Sequence, residues 1–213
     1  MATLENNHIS NYGPDGIAET ETHLQAAGIR WADREAPAVV DVRGLKFGFL
    51  AFNGIGEIIN REAMVARIQA LRPQVDVLAV AYHWGKEYES LPQPYAGIAD
   101  DDPVEIAHLA VDAGADLIIG NHPHWVQAVE MYKGKLIAYA HGNFIFDQMR
   151  DYETRVGVIG RYTFYDDVLV RVEFIPVLIE NYAQPVPMLG ADAQAVLDGM
   201  KAASLELAGR LAQ

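Results

Sequence analysis

The sequence contains no cysteine. That excludes a disulfide framework and any thiolate metal site. It leaves the compartment open, because a cysteine-free chain suits either side of a membrane. Positive charge is also scarce. Sixteen lysines and arginines stand against 29 acidic residues, giving a formal net charge of −13. Such a chain repels phosphate backbones, so nucleic acid is not expected as a partner. Small phosphorylated ligands remain open, since a bound cation inverts the local potential. Long hydrophobic runs are missing as well. The stretch Val75–Tyr82 has the length of a strand, not of a membrane span. The opening residues, Met1 to His8, lack the basic stretch and apolar core of a secretory signal. No internal repeat or low-complexity tract interrupts the chain.

What is present suits a folded protein. Apolar residues make up 51% and charged residues 21% of 213 positions, enough to bury a substantial core in a single domain spanning residues 1–213. Gly16–Ala27 reads as a helix with Ile17, Leu24 and Ala27 on one face. Val39–Val42 and Leu45–Phe52 read as a hairpin turning at Arg43-Gly44. Arg61–Leu71 is a second helix, with Met64, Val65, Ile68 and Leu71 sharing a face, and Pro73 ends it. Val75–Tyr82 is apolar throughout, as expected for a strand covered on both faces. Trp84–Asp100 is a loop. Asp102-Pro103 then caps a helix to about Ala113, and Asp116–Gly120 is a second short buried strand. Val126–Tyr132 with Lys135–Ala140, and Val156–Tyr165 with Val168–Val177, read as two further antiparallel pairs. Ala191–Leu211 closes the chain as an amphipathic helix, with Val196, Met200, Ala203, Leu207 and Leu211 in register. Parallel βαβ units joined to antiparallel pairs predict a layered α/β sandwich.

Two strands end in unusual residues. Val75–Tyr82 runs into His83-Trp84-Gly85, and Asp116–Gly120 runs into Asn121-His122-Pro123-His124. Both strands follow helices, so they are expected to be parallel neighbours with their C-terminal ends side by side. Ligands of open α/β sheets bind at that edge. Three imidazoles converge there, and neutral imidazole is a common ligand for zinc, iron and manganese. A single histidine at a strand end is more often a cap or a surface residue, so the expectation rests on the pair of strand ends together. His23 and His108 lie on predicted helices as solvent-facing or packing residues, and Trp125 reads as packing. Pro94 and Tyr95 are placed to shape a lid. Glu87 is either a solvated loop residue or a group facing the site. Asn143, Asp147 and Gln148, with His141 just before them, read either as turn chemistry or as a loop facing substrate.

In order along the chain, Asn6-Asn7-His8 with Tyr12-Gly13, His83-Trp84-Gly85 with Glu87-Tyr88, Gly114-Ala115-Asp116, Gly120-Asn121-His122-Pro123-His124, Gln127, Tyr132-Lys133-Gly134 and Gly142-Asn143-Phe144 with Phe146-Asp147-Gln148 resemble the CapA family. These are bacterial capsule or poly-γ-glutamate biosynthesis proteins, also called the PgsA type. The likeness runs from about residue 5 to about residue 187, and its specificity comes from several motifs at matching spacing. The family is similar to the calcineurin-like metallophosphatases, which implies a four-layer α/β/β/α sandwich with a two-metal centre.

By that resemblance, Asn7, His83 and His122 match ligands of the second metal, and His124 matches a ligand of the first. His8 matches the histidine that assists the leaving group or stabilises the transition state. The implied cofactor is a divalent ion: manganese, iron or zinc. The implied substrate is an anionic polymer or a phosphoester, and the implied partners are subunits of a membrane synthase. A membrane-associated or extracytoplasmic setting is implied too. The superfamily's Asp-x-His and Gly-Asp elements belong upstream of Asn7. The expectation is therefore a sandwich lacking its first β-α portion, either as a fragment of a longer protein or because the gene has lost that part, with ligands for about one metal and poor hydrolysis. A noncatalytic polymer-binding or assembly role, and a homodimer formed over an exposed sheet edge, follow as alternatives.

Overall fold

The computed structural model describes residues 1–213. A short strand, β1 (Ala2–Thr3), leads through the Asn6–Tyr12 turn into helix α1 (Gly13–Ala26), and β2 (Trp31–Ala32) returns parallel to β1. The hairpin follows as β3 (Ala38–Val42) and β4 (Leu45–Asn53), turning at Arg43-Gly44, both at positive φ. Helix α2 (Arg61–Leu71) starts where the Asn60 side chain accepts from the Ala63 N–H. Next come β5 (Val77–His83), α3 (Pro103–Ala113) and β6 (Leu117–Asn121). Asp102 caps α3 by accepting from Val104, and Pro103 takes the first position, where no N–H is needed.

The chain continues through β7 (Val129–Tyr132), β8 (Lys135–Ala138), the single turn α4 (Tyr152–Arg155), β9 (Val156–Tyr165), β10 (Val168–Glu180), β11 (Gln184–Pro187) and α5 (Gly190–Leu211). Six strands form one sheet in the order β3-β4-β5-β6-β8-β7, parallel from β4 through β8. Three form another, β11-β10-β9.

Strand alternation sorts the core into two halves. Leu50, Phe52, Leu78, Val80, Tyr82, Ile118 and Ile137 face one side of the large sheet. There they meet Met64 and Ile68 of α2, Ile106 and Ala110 of α3, and Ala203 and Leu207 of α5. The opposite face presents Phe49, Ala79, Leu117 and Leu136 to Tyr162, Phe164, Leu169 and Val172 of the second sheet. Phe47 and Phe164 meet edge to face at 5.5 Å. The layers are helices, sheet, sheet: the mixed α/β architecture expected, without a helical layer outside the second sheet. That outer face leaves Ile159, Tyr165, Val168 and Val170 exposed.

Three details depart from the sequence reading. The predicted apolar face of α1 is only half-buried at Ile17 and Leu24, and no residue of this helix reaches the core. Strand β5 begins at Val77, because Arg72–Gln74 form a turn of 3-10 helix and the Arg72 guanidinium holds the carbonyls of Val75 and Asp76. The β1–β2 pair and β11 carried no legible strand pattern; both are short, and β11 has prolines at Pro185 and Pro187. No helix is long and apolar enough to cross a membrane.

Candidate metal centre

The register of the large sheet creates the site. Asn53 pairs with His83, and His83 with Asn121, so β4, β5 and β6 end level with one another. Alternation along β5 places His83 opposite Tyr82 and Trp84. Those two rings are buried on the helical side, stacked at 4.5 Å and 6°. Trp84 is locked further by donating from Nε1 to the Tyr139 carbonyl at 3.0 Å. Gly120 makes room for that bond: a β-carbon there would meet the Tyr139 oxygen at 1.9 Å and the Trp84 nitrogen at 2.4 Å.

After β6 the chain bends sharply. His122 has φ of 97° and His124 of 62°, a region that residues with a side chain rarely enter. Strain of this kind costs about 1–3 kcal/mol per residue and persists where the surroundings impose it. Its effect here is to bring both imidazoles to one side of the loop. Their ring centroids are 5.9 Å apart, and His122 lies 4.8 Å from His83.

His83 Nε2 stands 3.0 Å from Asn7 Oδ1 and 3.2 Å from His122 Nδ1. Burial pushes the His83 imidazole down to about pH 3, helped by the neighbouring His122, His124 and His8. Burial pushes His122 to about 4, with His124 and His8 adding to the effect. Both rings are therefore neutral near pH 7, with lone pairs to offer. Two ligand atoms each about 2.1 Å from one ion, at angles between octahedral and tetrahedral, lie roughly 2.9–3.4 Å apart. The observed spacings fall in that range.

The other nitrogen of His122, Nε2, is buried with no hydrogen-bond partner. It faces Glu87, whose Oε1 lies 3.9 Å from it and 3.6 Å from His124 Nε2. Glu87, His122 and His124 thus form a group whose ligand atoms lie within 4.8 Å of one another. Glu87 and His124 are donors suited to a divalent cation, and a neutral His122 adds its single lone pair at one of its two nitrogens. His124 is oriented for it: its Nδ1 sits 2.9 Å from Asn143 Oδ1, so the Nδ1–H donates and Nε2 keeps its lone pair.

Asn7, His83, His122 and His124 line a cavity of about 370 Å³, which also takes in Glu5, His8 and Phe146. His8 is exposed. Its Nδ1 accepts from the Asn11 side chain at 3.1 Å, which assigns the ring proton to Nε2. Glu5 is turned away, bound to Arg34, which also binds Glu57.

The structure therefore brings Asn7, His8, His83, His122 and His124 to one cavity, with Glu87 beside His122 and His124 and with Asn143 behind His124. Asp147 and Gln148 line a neighbouring cavity instead. Tyr95 bridges to Ala99 within its own loop and lines neither cavity, so it is no lid here. His108 packs flat on Tyr132 and contacts Glu130, and His23 is exposed beside Glu19. Sequence reasoning missed Asn11, Phe146 and the platform role of Tyr88, whose ring stacks on His124 at 5.8 Å. Tyr88 has a signal in hindsight, since it follows Glu87 directly.

The fold itself has likenesses among solved structures of low sequence identity. The chain superposes with a TM-score of 0.52 on a Staphylococcus aureus protein provisionally named a 5′-nucleotidase and solved with alpha-ketoglutarate, at 15% identity over 93% of this chain and 41% of that one. The chain belongs to the PGA_cap family, described as bacterial capsule synthesis protein, whose model matches residues 1–148. It is 29% identical over 204 residues to the PGA biosynthesis protein CapA of Bacillus subtilis, covering 86% of this chain and 51% of the relative. It is also 29% identical over 215 residues to the capsule biosynthesis protein CapA of Bacillus anthracis, covering 90% and 50%. The chain spans about half the length of the curated relatives it matches.

Proposed function

We propose that this chain carries the metal-binding half of a hydrolase-like protein serving capsule or poly-γ-glutamate synthesis. Asn7, His83 and His122 Nδ1 would hold one divalent ion, manganese, iron or zinc, and His124 with Glu87 would hold or neighbour a second. The observation that carries this reading is the chain of contacts from Asn7 Oδ1 to His83 Nε2 to His122 Nδ1. One proton satisfies one such contact, whereas a cation satisfies three lone pairs at once. An ion bound there would act as a Lewis acid and generate hydroxide from water near neutral pH.

The protein's own groups do the rest. Phe146 and Tyr88 cover the His124 ring and exclude water from one side. His8, in its doubly protonated imidazolium form, would donate a proton to a leaving oxygen and be left as the neutral ring. The substrate class is an anionic polymer or a phosphoester, and the partners are the membrane subunits of the polymer synthase.

The test is metal content with turnover. Purified protein is expected to bind manganese or zinc and His122→Ala to lose it; an aryl phosphate with added manganese reports hydrolysis. Metal content that is negligible, and unaffected by the substitution, would sink the centre. A noncatalytic polymer-binding role is favoured by one observation. The cavity's carboxylates are few, with Glu5 engaged by Arg34 and Glu87 3.6 Å or more from the imidazoles. Metal binding without hydrolysis would select that role.

A further inference from the structure

Asn7, His83 and His122 offer an amide oxygen and two imidazoles, donors that carry no charge. A divalent ion among neutral donors keeps its full charge in a partly buried cavity, which is costly unless an anion joins it. Carboxylate oxygen is also the donor that suits manganese. The wall of the histidine cavity carries one carboxylate, and it stands two residues before Asn7: Glu5.

Glu5 belongs to two cavities. It lines the histidine cavity and also a larger one, of about 740 Å³, between α1 and the end of β4, where Arg34 and Glu57 lie. Its side chain is only 9% exposed, so its partners are protein groups more than water. The backbone on either side is pinned. The Leu4 N–H donates to the Ala32 carbonyl at 2.9 Å, and the Asn6 side chain accepts from the His8 N–H at 2.9 Å. A change of rotamer alone therefore carries the carboxylate from one cavity toward the other.

The hold of Arg34 on Glu5 is loose. Nε at 3.4 Å and a terminal nitrogen at 3.3 Å reach the same oxygen, Oε2, and Arg34 is 63% exposed. That terminal nitrogen also binds Glu57, which Asn53 holds a second time by donating to Oε1 at 3.0 Å. When Glu5 leaves, Arg34 keeps a paired carboxylate and no charge is stranded. Two carboxylates share one arginine, and the one that can be spared is the one on the histidine cavity.

We propose that Glu5 is the charged ligand that completes the Asn7, His83 and His122 site, exchanging Arg34 for the ion, and that Arg34 sets how readily the site fills. The inference rests on the proposed function for the ion itself. It adds the anionic ligand and the residue that competes for it.

The test is a cobalt(II) titration of the full chain, read by calorimetry for affinity and by visible absorption for the donor set. Glu5→Gln is expected to bind about tenfold or more weakly, the least that partners of a ligand are worth. Its visible band at saturation should shift, because an oxygen ligand has left. A charge acting only at a distance would weaken binding and leave the band in place. Arg34→Gln should bind roughly threefold or more tightly, since no guanidinium then competes for the carboxylate. That gain should shrink in the Glu5→Gln, Arg34→Gln double variant, where there is nothing to release. Arg161→Gln on β9 removes the same charge from the second sheet and should leave affinity alone.

An unchanged band in Glu5→Gln overturns Glu5 as a ligand, whatever the affinity does. An Arg34→Gln gain of equal size in both backgrounds overturns the exchange. His122→Ala, titrated alongside, separates this inference from the proposed function. Cobalt binding that needs His122 but not Glu5 refutes the inference and keeps the centre. Binding that needs Glu5 but not His122 refutes the centre as drawn and keeps Glu5 as a ligand. No binding by the wild type overturns both.

Discussion

Metal-stripped protein should lose stability steeply between about pH 7 and pH 5, and His122 should account for a definable part of that loss. In the folded chain, burial holds His83 down to about 3, and His122 and His141 down to about 4. An unfolded histidine titrates near 6.5. Above about pH 7 neither state binds these protons, so stability is flat. Below 6.5 the unfolded chain takes them up and the folded chain does not until pH nears 4, so stability falls as pH falls. Each such histidine can cost up to about 2 kcal/mol at pH 5, from 1.36 kcal/mol per pH unit. His83 and His122 both stay neutral in the folded chain at pH 5, so their contributions add to about 4 kcal/mol. Urea unfolding at several pH values measures this. The window lies above the usual carboxylate range, which keeps acid groups largely out of the slope. His122→Asn should remove about one proton from the slope, and added manganese should hold wild type stable further into acid. Parallel curves for wild type and His122→Asn would show that His122 is not held neutral by the fold, and the argument for its lone pairs would fail.

Three other outcomes follow from particular contacts. Gly120→Ala drives a methyl group into the Tyr139 carbonyl and the Trp84 indole, and should cost about 3 kcal/mol or more in urea unfolding; a change within about 0.5 kcal/mol would contradict the packing around β6. Asn143→Leu removes the acceptor that orients His124, and should weaken metal binding by roughly 10- to 100-fold in calorimetry, whereas unchanged affinity would detach His124 from the centre. Asp116→Ala takes away the carboxylate that binds Arg72 and Lys135 and accepts from the Leu78 N–H at 2.9 Å. With Asp116 mostly buried and both cations partly solvated, the expected loss is about 2–3 kcal/mol by thermal or urea unfolding.

How far the sequence announced all this depends on whether the signal was local. Strands β5 and β6 were legible because a strand covered on both faces must be apolar throughout, and the helix between them because Asp102-Pro103 is a local start signal. Their parallel pairing followed from chain order, and with it the meeting of His83, His122 and His124. Features set by tertiary contact were not legible. Helix α1 has an apolar stripe, yet Ile17 and Leu24 are only half-buried and no residue of the helix is fully buried, and no local pattern distinguishes a stripe that enters the core from one that does not. Asp147 and Gln148 adjoin Asn143 in sequence, but the chain turns between them, so Asn143 supports His124 while the other two face Arg150.

The positive φ values of His122, His124 and Tyr88 were equally hidden, since none is glycine, asparagine or aspartate. They are also the most informative feature of the site. A loop free to relax would leave these residues extended, with side chains alternating away from each other. Here β6 ends level with β5, the Trp84 N–H is held by the Asn121 carbonyl at 3.1 Å, and the Tyr88 N–H by Pro123 at 2.9 Å. Those two bonds tie the His83 loop to the His122 loop and help hold both in the strained form. Several kilocalories of backbone strain are thus maintained at the one place where a carboxylate meets three imidazoles, one of them with an orphaned nitrogen. Strain that only closed a turn would disappear on substituting glycine, with a gain in stability. At His124 the same substitution should relieve the backbone and abolish binding of the ion assigned to His124 and Glu87 together, because the ring is what the strained loop exists to present.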